Sequence, residues 1–305
     1  VLQQVLQTIT PQAARQTDDP LEVLRFATEA LNAGYATVLV TLTAIRGGSA
    51  RPVGAQMAVR EDGLYCGVVS GGCVEAAAAH EALAAIREGQ DREIIYGKGS
   101  PWLDIVLPCG GSITLVLHLL RGADPLTAVL AAVAQRQRAG LRYSPDGTLA
   151  QVAPPAATDC HAQGFCILYR PQPRIVLFGR SGAADTTARI AEAAGYDVHI
   201  CDASRLSATT ALIDPDTAVV LLYHDLHQEL PLLQAALNAA PFYIGALGSY
   251  RTHQQRVATL TRLGYSSAEI ARINAPVGIF PKARDASTLA LSVLADIAAR
   301  RQESG

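Results

Sequence analysis

Apolar positions in this chain follow two rhythms, and the balance between them changes near the middle. Leu21, Leu24, Ala27, Ala30 and Leu31 recur every three or four residues, the spacing of one helix face. Asp18-Asp19-Pro20 puts an acidic cap and a first-turn proline ahead of that stripe, and Gly34 closes it. Tyr35 to Ala44, rich in Val, Thr and Leu, reads as a strand. Glu61-Asp62-Gly63 is a hairpin turn between two short strands. An alanine-rich helix is expected from behind Cys73 to about Gly89. Strands follow near Arg92 to Tyr96 and Ser112 to Leu119, then a helix from about Asp124 to Arg138. Residues 1–139 thus predict a mixed α/β domain.

Residues 140–173 have another character. Ser144-Pro145-Asp146-Gly147 is a turn, Pro154-Pro155 stiffens the backbone, and Pro171 and Pro173 follow. The stretch reads as a linker carrying short strands. From Arg174 the pattern becomes β-α-β. Ile175-Val176-Leu177-Phe178 is a continuous apolar run of the parallel-sheet kind. A glycine-containing turn, a helix over 183–194 and a strand over 197–201 come next. Thr217 to Tyr223 and Phe242 to Gly245 add strands, each followed by helix; Ser266 with Glu269 matches a capping box, and Asp285 caps a final helix. Residues 174–305 therefore predict a Rossmann-like, doubly wound parallel sheet.

Composition narrows the function classes. A chain of 305 residues is long enough for two domains, and a formal charge of -2 argues against a nucleic-acid binder. No apolar stretch approaches a membrane span, and no basic segment leads into an apolar one as in a secretory signal. Six cysteines without framework spacing fit a reducing cytoplasm. Cys160, His161 and Cys166 lie close in sequence, but a metal site needs ligands that their neighbourhood lacks.

Two glycine-rich turns carry thiols. In Ser70-Gly71-Gly72-Cys73-Val74-Glu75 a cysteine is expected at a helix N-terminus, where backbone N–H groups lower a thiol pKa and seat an anion. Cys109 sits against Gly110 and Gly111. The alternative for either thiol is a small buried side chain. In the second domain Gly179-Arg180-Ser181-Gly182 occupies the place of a dinucleotide fingerprint, with Asp202 at the separation of a ribose-binding carboxylate and Arg205 beside it. Ser181 stands where that fingerprint has its second glycine, so loss of nicotinamide-type affinity is the economical reading. His224-Asp225 ends a strand, as an acid–base pair or a polar strand-end contact.

Together these residues resemble the XdhC/CoxI family, accessory factors for xanthine dehydrogenase and related molybdenum hydroxylases. Gly47-Gly48-Ser49-Ala50-Arg51-Pro52-Val53-Gly54-Ala55-Gln56-Met57 is similar to its G-S-x-x-R-P-x-G-A-x-M stretch. Val69 to Glu75 resembles its G-G-C-V-E signature, and Cys109-Gly110-Gly111 its C-G-G loop. In the second domain Tyr243 to Ser249, then Arg251, Thr252 and His253, and later Ala275 to Gly278, fit as well. The chain departs from the family at Ser181 and Gly182, and at Phe280, where an acidic residue is usual.

The resemblance implies a chaperone, not a turnover enzyme. Its cargo would be the molybdenum cofactor, in mononucleotide or dinucleotide form, protected while sulfurated and then inserted into an apo-molybdoenzyme. A cysteine desulfurase and the apoenzyme would be partners, and a homodimer is permitted. Arg51 would neutralise a phosphate, Gly71 and Gly72 would let backbone N–H groups reach it, with Ser70 beside them in the candidate set, and Cys73 and Cys109 would face the molybdenum or its sulfur. Glu75 would orient a donor or cap its helix. Gly179, Gly182, Asp202, Arg205, His224 and Asp225 complete the candidate cofactor-binding set. The competing readings are a Rossmann oxidoreductase using NAD or FAD, and an adaptor that binds the apoenzyme without cofactor.

Overall fold

The computed structural model describes residues 9–98, 110–179, 182–201, 209–223, 226–280 and 282–303. The chain divides into two compact units, residues 1–170 and 171–305.

In the first unit the helix α1 (Pro20–Asn32) begins where the sequence placed it: the Asp19 carboxylate accepts the Leu21 N–H at 2.8 Å. A six-stranded sheet has the order β1-β4-β3-β2-β6-β5. Its strands are β1 (Gln12–Arg15), β2 (Thr37–Arg46), β3 (Gln56–Arg60), β4 (Leu64–Gly67), β5 (Arg92–Gly97) and β6 (Ser112–Leu119). All neighbours are antiparallel except β1 and β4. Alternation along β2 sorts the two faces. Val38, Val40 and Leu42 pack with the alanines of α2 (Glu75–Glu88), whereas Leu39 points to the opposite core. Ala78, Ala79, Ala82 and Ala85 of α2 are all buried, so this helix lies close on the sheet. Gly89 ends it in the left-handed conformation.

The opposite face is covered by α1, by α3 (Asp124–Ala134) and by the stretch expected as a linker. That stretch is a four-stranded antiparallel sheet, β8-β7-β10-β9, made of β7 (Ala139–Tyr143), β8 (Leu149–Val152), β9 (Asp159–His161) and β10 (Gly164–Tyr169). Leu141, Phe165, Ile167 and Tyr169 put its inner face into the core with Leu24 and Val129. The prolines mark its turns and its end, and the unit boundary falls at Arg170/Pro171. Helix α3 is also shorter than expected, because Arg136 takes a positive φ of 58° and breaks it. Tyr169 Oη, fully buried, donates to Gln56 Oε1 at 2.5 Å, and Gln56 Nε2 donates to Thr41 Oγ1 at 3.2 Å.

The second unit is a parallel five-stranded sheet of order β12-β11-β13-β14-β15. Its strands are β11 (Arg174–Phe178), β12 (Asp197–Cys201), β13 (Thr217–Leu221), β14 (Tyr243–Ala246) and β15 (Ile273–Asn274). Helices α4 (Gly182–Ala193) and α8 (Ala286–Glu303) cover one face. Helices α5 (Leu226–Ala239), α6 (Tyr250–Arg262) and α7 (Ser267–Ile270) cover the other. This is the doubly wound arrangement, with its switch in strand order between β11 and β13. The capping box of Ser266 and Glu269 and the cap at Asp285 are both formed.

Gly67 ends β4 with φ of +104°, and a Cβ there would stand 2.5 Å from the Gln56 carbonyl oxygen and 2.9 Å from Met57 Cα. Both neighbours are backbone and cannot turn away. Gly67→Ala is expected to cost about 3 kcal/mol, read as a lower urea midpoint at unchanged slope.

Candidate functional site

Strand register gathers the glycine motifs at one edge of the first sheet. Arg46 pairs with Ser112, Gly97 with Ser112, Thr41 with Gln56, and Met57 with Gly67. The segments that leave these strand ends, 47–55, 68–74 and 110–111, therefore emerge side by side. They also touch. A Cβ on Gly111 would lie 2.5 Å from the Arg46 carbonyl oxygen and 2.7 Å from that of Gly48, and one on Gly71 would lie 3.3 Å from Ala50 Cβ. Glycine here is what allows three turns to share one edge. Cys109 lies outside the described residues; Gly110 next to it is exposed, with open space around it.

The 69–75 turn is organised from within. Glu75 is 3% exposed and folds its carboxylate back over the turn. Oε1 accepts N–H bonds from Val69 at 2.9 Å, Ser70 at 2.7 Å and Gly71 at 3.2 Å. Oε2 accepts the Ser70 hydroxyl at 2.8 Å and the Val74 N–H at 3.1 Å. Ser70 Oγ in turn accepts the N–H groups of Cys73 and Val74. Burial pushes the Glu75 pKa up, but the hydrogen bonds from Ser70 and Val69 outweigh it and hold the carboxyl below its ordinary value.

Two expectations are corrected by this arrangement. The Gly71 amide, expected to reach a ligand anion, already donates to the chain's own carboxylate, as does that of Ser70. Cys73 is not at the helix terminus either: α2 starts at Glu75 with Val74 as its cap, and Cys73 stands on the turn before it, exposed. Among the turn's glycine amides, Gly72 is the one Glu75 does not take.

Arg51 sits on the facing turn. Ser49 Oγ accepts its N–H at 3.2 Å and donates to its carbonyl at 2.9 Å, which fixes the backbone. Its guanidinium meets Asp18, Nη1 to Oδ2 at 3.2 Å and Nη2 to the carbonyl at 3.2 Å. Asp18 is largely exposed, so this pair is worth at most about 1 kcal/mol and exchanges readily for another anion. An open cleft of about 190 Å³ runs beside Arg51 and is lined also by Pro20, Gly54, Gln56 and Thr158.

In the second unit Gly179 leaves β11 at the switch point, where a Cβ would come within 3.1 Å of Leu222 Cβ just past β13. Gly182 is the first residue of α4. Arg180, Ser181, Asp202, Arg205, His224 and Asp225 lie outside the described residues. Cys160 and His161 are exposed on β9 and Cys166 is buried on β10.

Comparison with known proteins decides the family. Residues 30–97 match the XdhC and CoxI family and residues 175–297 the XdhC Rossmann domain. A protein of Escherichia coli (strain K12) named molybdenum cofactor insertion chaperone PaoD is 60% identical over 292 residues, 95% of this chain and 92% of that protein. The chain belongs to the XdhC and CoxI family. The Escherichia coli (strain K12) protein YqeB is 29% identical over 264 residues, 80% of this chain but 40% of that protein. A solved chain from Bacillus halodurans described as a xanthine dehydrogenase covers 93% of this one at a TM-score of 0.68 and 20% identity, a likeness of fold. The family's signature glutamate is thus, in this XdhC/CoxI chain, a buried internal anion. Its neighbours Arg51 and Cys73 stay within reach of a ligand.

Sequence reasoning missed three polar clusters. They are Gln56 with Tyr169, Asp91 with His118 and Tyr143, and Glu229 with Arg256. Each joins residues far apart in sequence. The one local signal available was Gln56, a polar residue beginning an otherwise apolar strand.

Glu75→Gln puts an amide NH2 among N–H donors. It is expected to destabilise the first unit by about 2 kcal/mol, a fall of about 5 °C in Tm. Because the folded carboxyl has a lowered pKa, its contribution is present above the ordinary carboxylate pKa and disappears as pH falls through the folded value. The gap between wild type and variant in a thermal melt should therefore close in acid and be full at neutral pH.

Proposed function

We propose that this chain binds the molybdenum cofactor as cargo, protects it in its sulfurated form, and inserts it into an apo-molybdoenzyme of the xanthine dehydrogenase and aldehyde oxidase class. The observation that carries the reading is the 60% identity, over nearly the whole of both chains, with a molybdenum cofactor insertion chaperone. In this reading the chain is an accessory factor, not a turnover enzyme. It works in the cytoplasm and takes its cargo's sulfur from a cysteine desulfurase. No helix among the described residues is long and apolar enough to cross a membrane.

The touching turns of the first unit offer what such a cargo needs. The cofactor is a pyranopterin dithiolene bearing a phosphate. Arg51 meets the phosphate by charge-assisted hydrogen bonds, trading its exposed partner Asp18 for a more highly charged one. Gly72 lends a backbone N–H. Cys73 presents a soft sulfur ligand toward molybdenum or its terminal sulfur, and Cys109, outside the described residues, is proposed as a second. Glu75 does not touch the cargo; it holds the turn that presents Cys73. Gly179 and Gly182, with Asp202, Arg205, His224 and Asp225, are the contacts proposed for a nucleotide carried by the dinucleotide form.

Equilibrium binding of isolated molybdenum cofactor separates the possibilities. Cys73→Ala and Arg51→Ala should each weaken binding about tenfold, or about 1.4 kcal/mol, with the Tm unchanged. No binding by folded wild type would leave the adaptor reading in place. Binding that survives both substitutions would move the cargo off the first unit.

A further inference from the structure

The second unit contains a buried cation whose hydrogen bonds are incomplete. Arg256 on α6 is 1% exposed and faces Glu229 on α5, also 1% exposed. Nη2 donates to Glu229 Oε2 at 2.8 Å and to the Leu247 carbonyl oxygen. Nε lies 2.7 Å from Glu229 Oε1 but off-line for a hydrogen bond, so that contact is a charge pair. Nη1, on the far side of the fork from Glu229, is buried and has no partner among the described residues. A guanidinium carries five N–H donors, and the two on Nη1 are unanswered. Leaving such donors unmade in the interior is costly, and natural structures rarely do so without a ligand or a water.

The surroundings indicate what would answer them. Leu247 follows the carboxyl end of β14, the edge of a doubly wound sheet where ligands bind. Gly248 passes close under the guanidinium: a Cβ there would stand 3.2 Å from Nη2. Ser249 then caps α6, accepting the Thr252 N–H at 3.2 Å. The helix has thirteen residues, no acidic residue in its first turn, and an exposed Arg251 in that turn. Side chains on a helix lean toward its N-terminus, which carries Arg256 and His253 toward this turn. His253 Nδ1 is likewise buried without a partner among the described residues. Glu229 balances one positive charge, leaving Arg251 and the helix dipole uncompensated.

We propose that the Leu247–Ser249 turn, the first turn of α6 and Arg256 form a seat for a phosphate group, free or esterified. The Arg256 guanidinium donates from below, the Tyr250 and Arg251 backbone N–H groups from the helix end, and Arg251 from the rim. The seat is distinct from the Gly179–Gly182 turn and concerns the second unit alone. It stands whether or not the first unit carries the molybdenum cofactor.

The test is a titration of the full-length ¹⁵N-labelled chain with inorganic phosphate, pyrophosphate and AMP at constant ionic strength, followed by NMR. Saturable shifts are expected at the Tyr250 and Arg251 amides and at the Arg256 side chain. Arg251→Ala, an exposed change that leaves the fold intact, should weaken binding about tenfold. Arg256→Lys keeps the charge but loses the fork and should weaken it further; if that variant does not melt cooperatively, wild type and Arg251→Ala decide alone. AMP binding about tenfold tighter than phosphate assigns the seat to an ester, and equal affinities assign it to free phosphate. Absence of saturation below about 10 mM, or shifts that lie elsewhere and ignore Arg251→Ala, would overturn the proposal.

Discussion

The Glu75 carboxylate accepts from four backbone N–H groups and from the Ser70 hydroxyl in the glycine-containing turn before α2. Remove that acceptor and the Val69, Ser70 and Gly71 N–H groups lose their partner, leaving Ser70 Oγ as the acceptor of Val74. The turn would then open, and α2 would lose the residue that ties its first turn to the segment following β4. The alanine face of α2 packs tightly only if the helix enters at the correct height over Val40 and Met57. One carboxylate therefore sets both the core on one side of the sheet and the shape of the exposed edge. A ligand carboxylate or phosphate in the same position would give a turn that forms only when loaded; an internal one gives a turn that is ready beforehand.

Much of this architecture was readable in the sequence, and the reasons differ by element. The helix at Pro20 has a cap, a first-turn proline and a regular stripe, all local. The central parallel strands β11 and β13 are buried almost throughout and show as apolar runs, whereas the edge strand β12 is half-exposed and carries Asp197 and His199. Strand β1 was not legible, because all four of its residues are exposed and it pairs only along the edge at β4. The sheet of β7 to β10 was disguised by Pro154, Pro155 and the 144–147 turn. Those signals speak for chain reversal and do not reveal that Leu141 and Phe165 face a core. At the site, the residue types were legible and their partners were not. Nothing local says that Glu75 folds back over its own turn, or that Arg51 finds Asp18 thirty-three residues away.

The two units use polar groups in opposite ways. In the first, the buried acceptor is saturated, and the groups left available are exposed ones on its rim: Arg51 in a weak pair and Cys73 on a fixed turn. In the second, the buried group is a cation matched to one carboxylate and one carbonyl, with donors to spare. A saturated buried anion stabilises without recruiting anything. A buried guanidinium with open donors costs stability until an acceptor arrives. In the first unit Glu75 of the family signature thus holds the turn, and Arg51 and Cys73 on its rim are the groups proposed to meet the cargo.

A carrier must also let go. If the cargo is held as proposed, affinity cannot rest on many buried contacts, because each must be broken at the client's surface. The geometry of the first edge suits that requirement. Its rigidity comes from bonds the cargo does not share, and its direct contacts are few and solvent-facing. The Arg51–Asp18 pair adds a return path. When a phosphate leaves, the guanidinium regains a local anion and is not left uncompensated, which lowers the cost of release. Acidic groups on a client could enter the same exchange, so that docking and unloading would draw on one guanidinium. A buried, fully committed arginine in that place would bind more tightly and deliver more slowly.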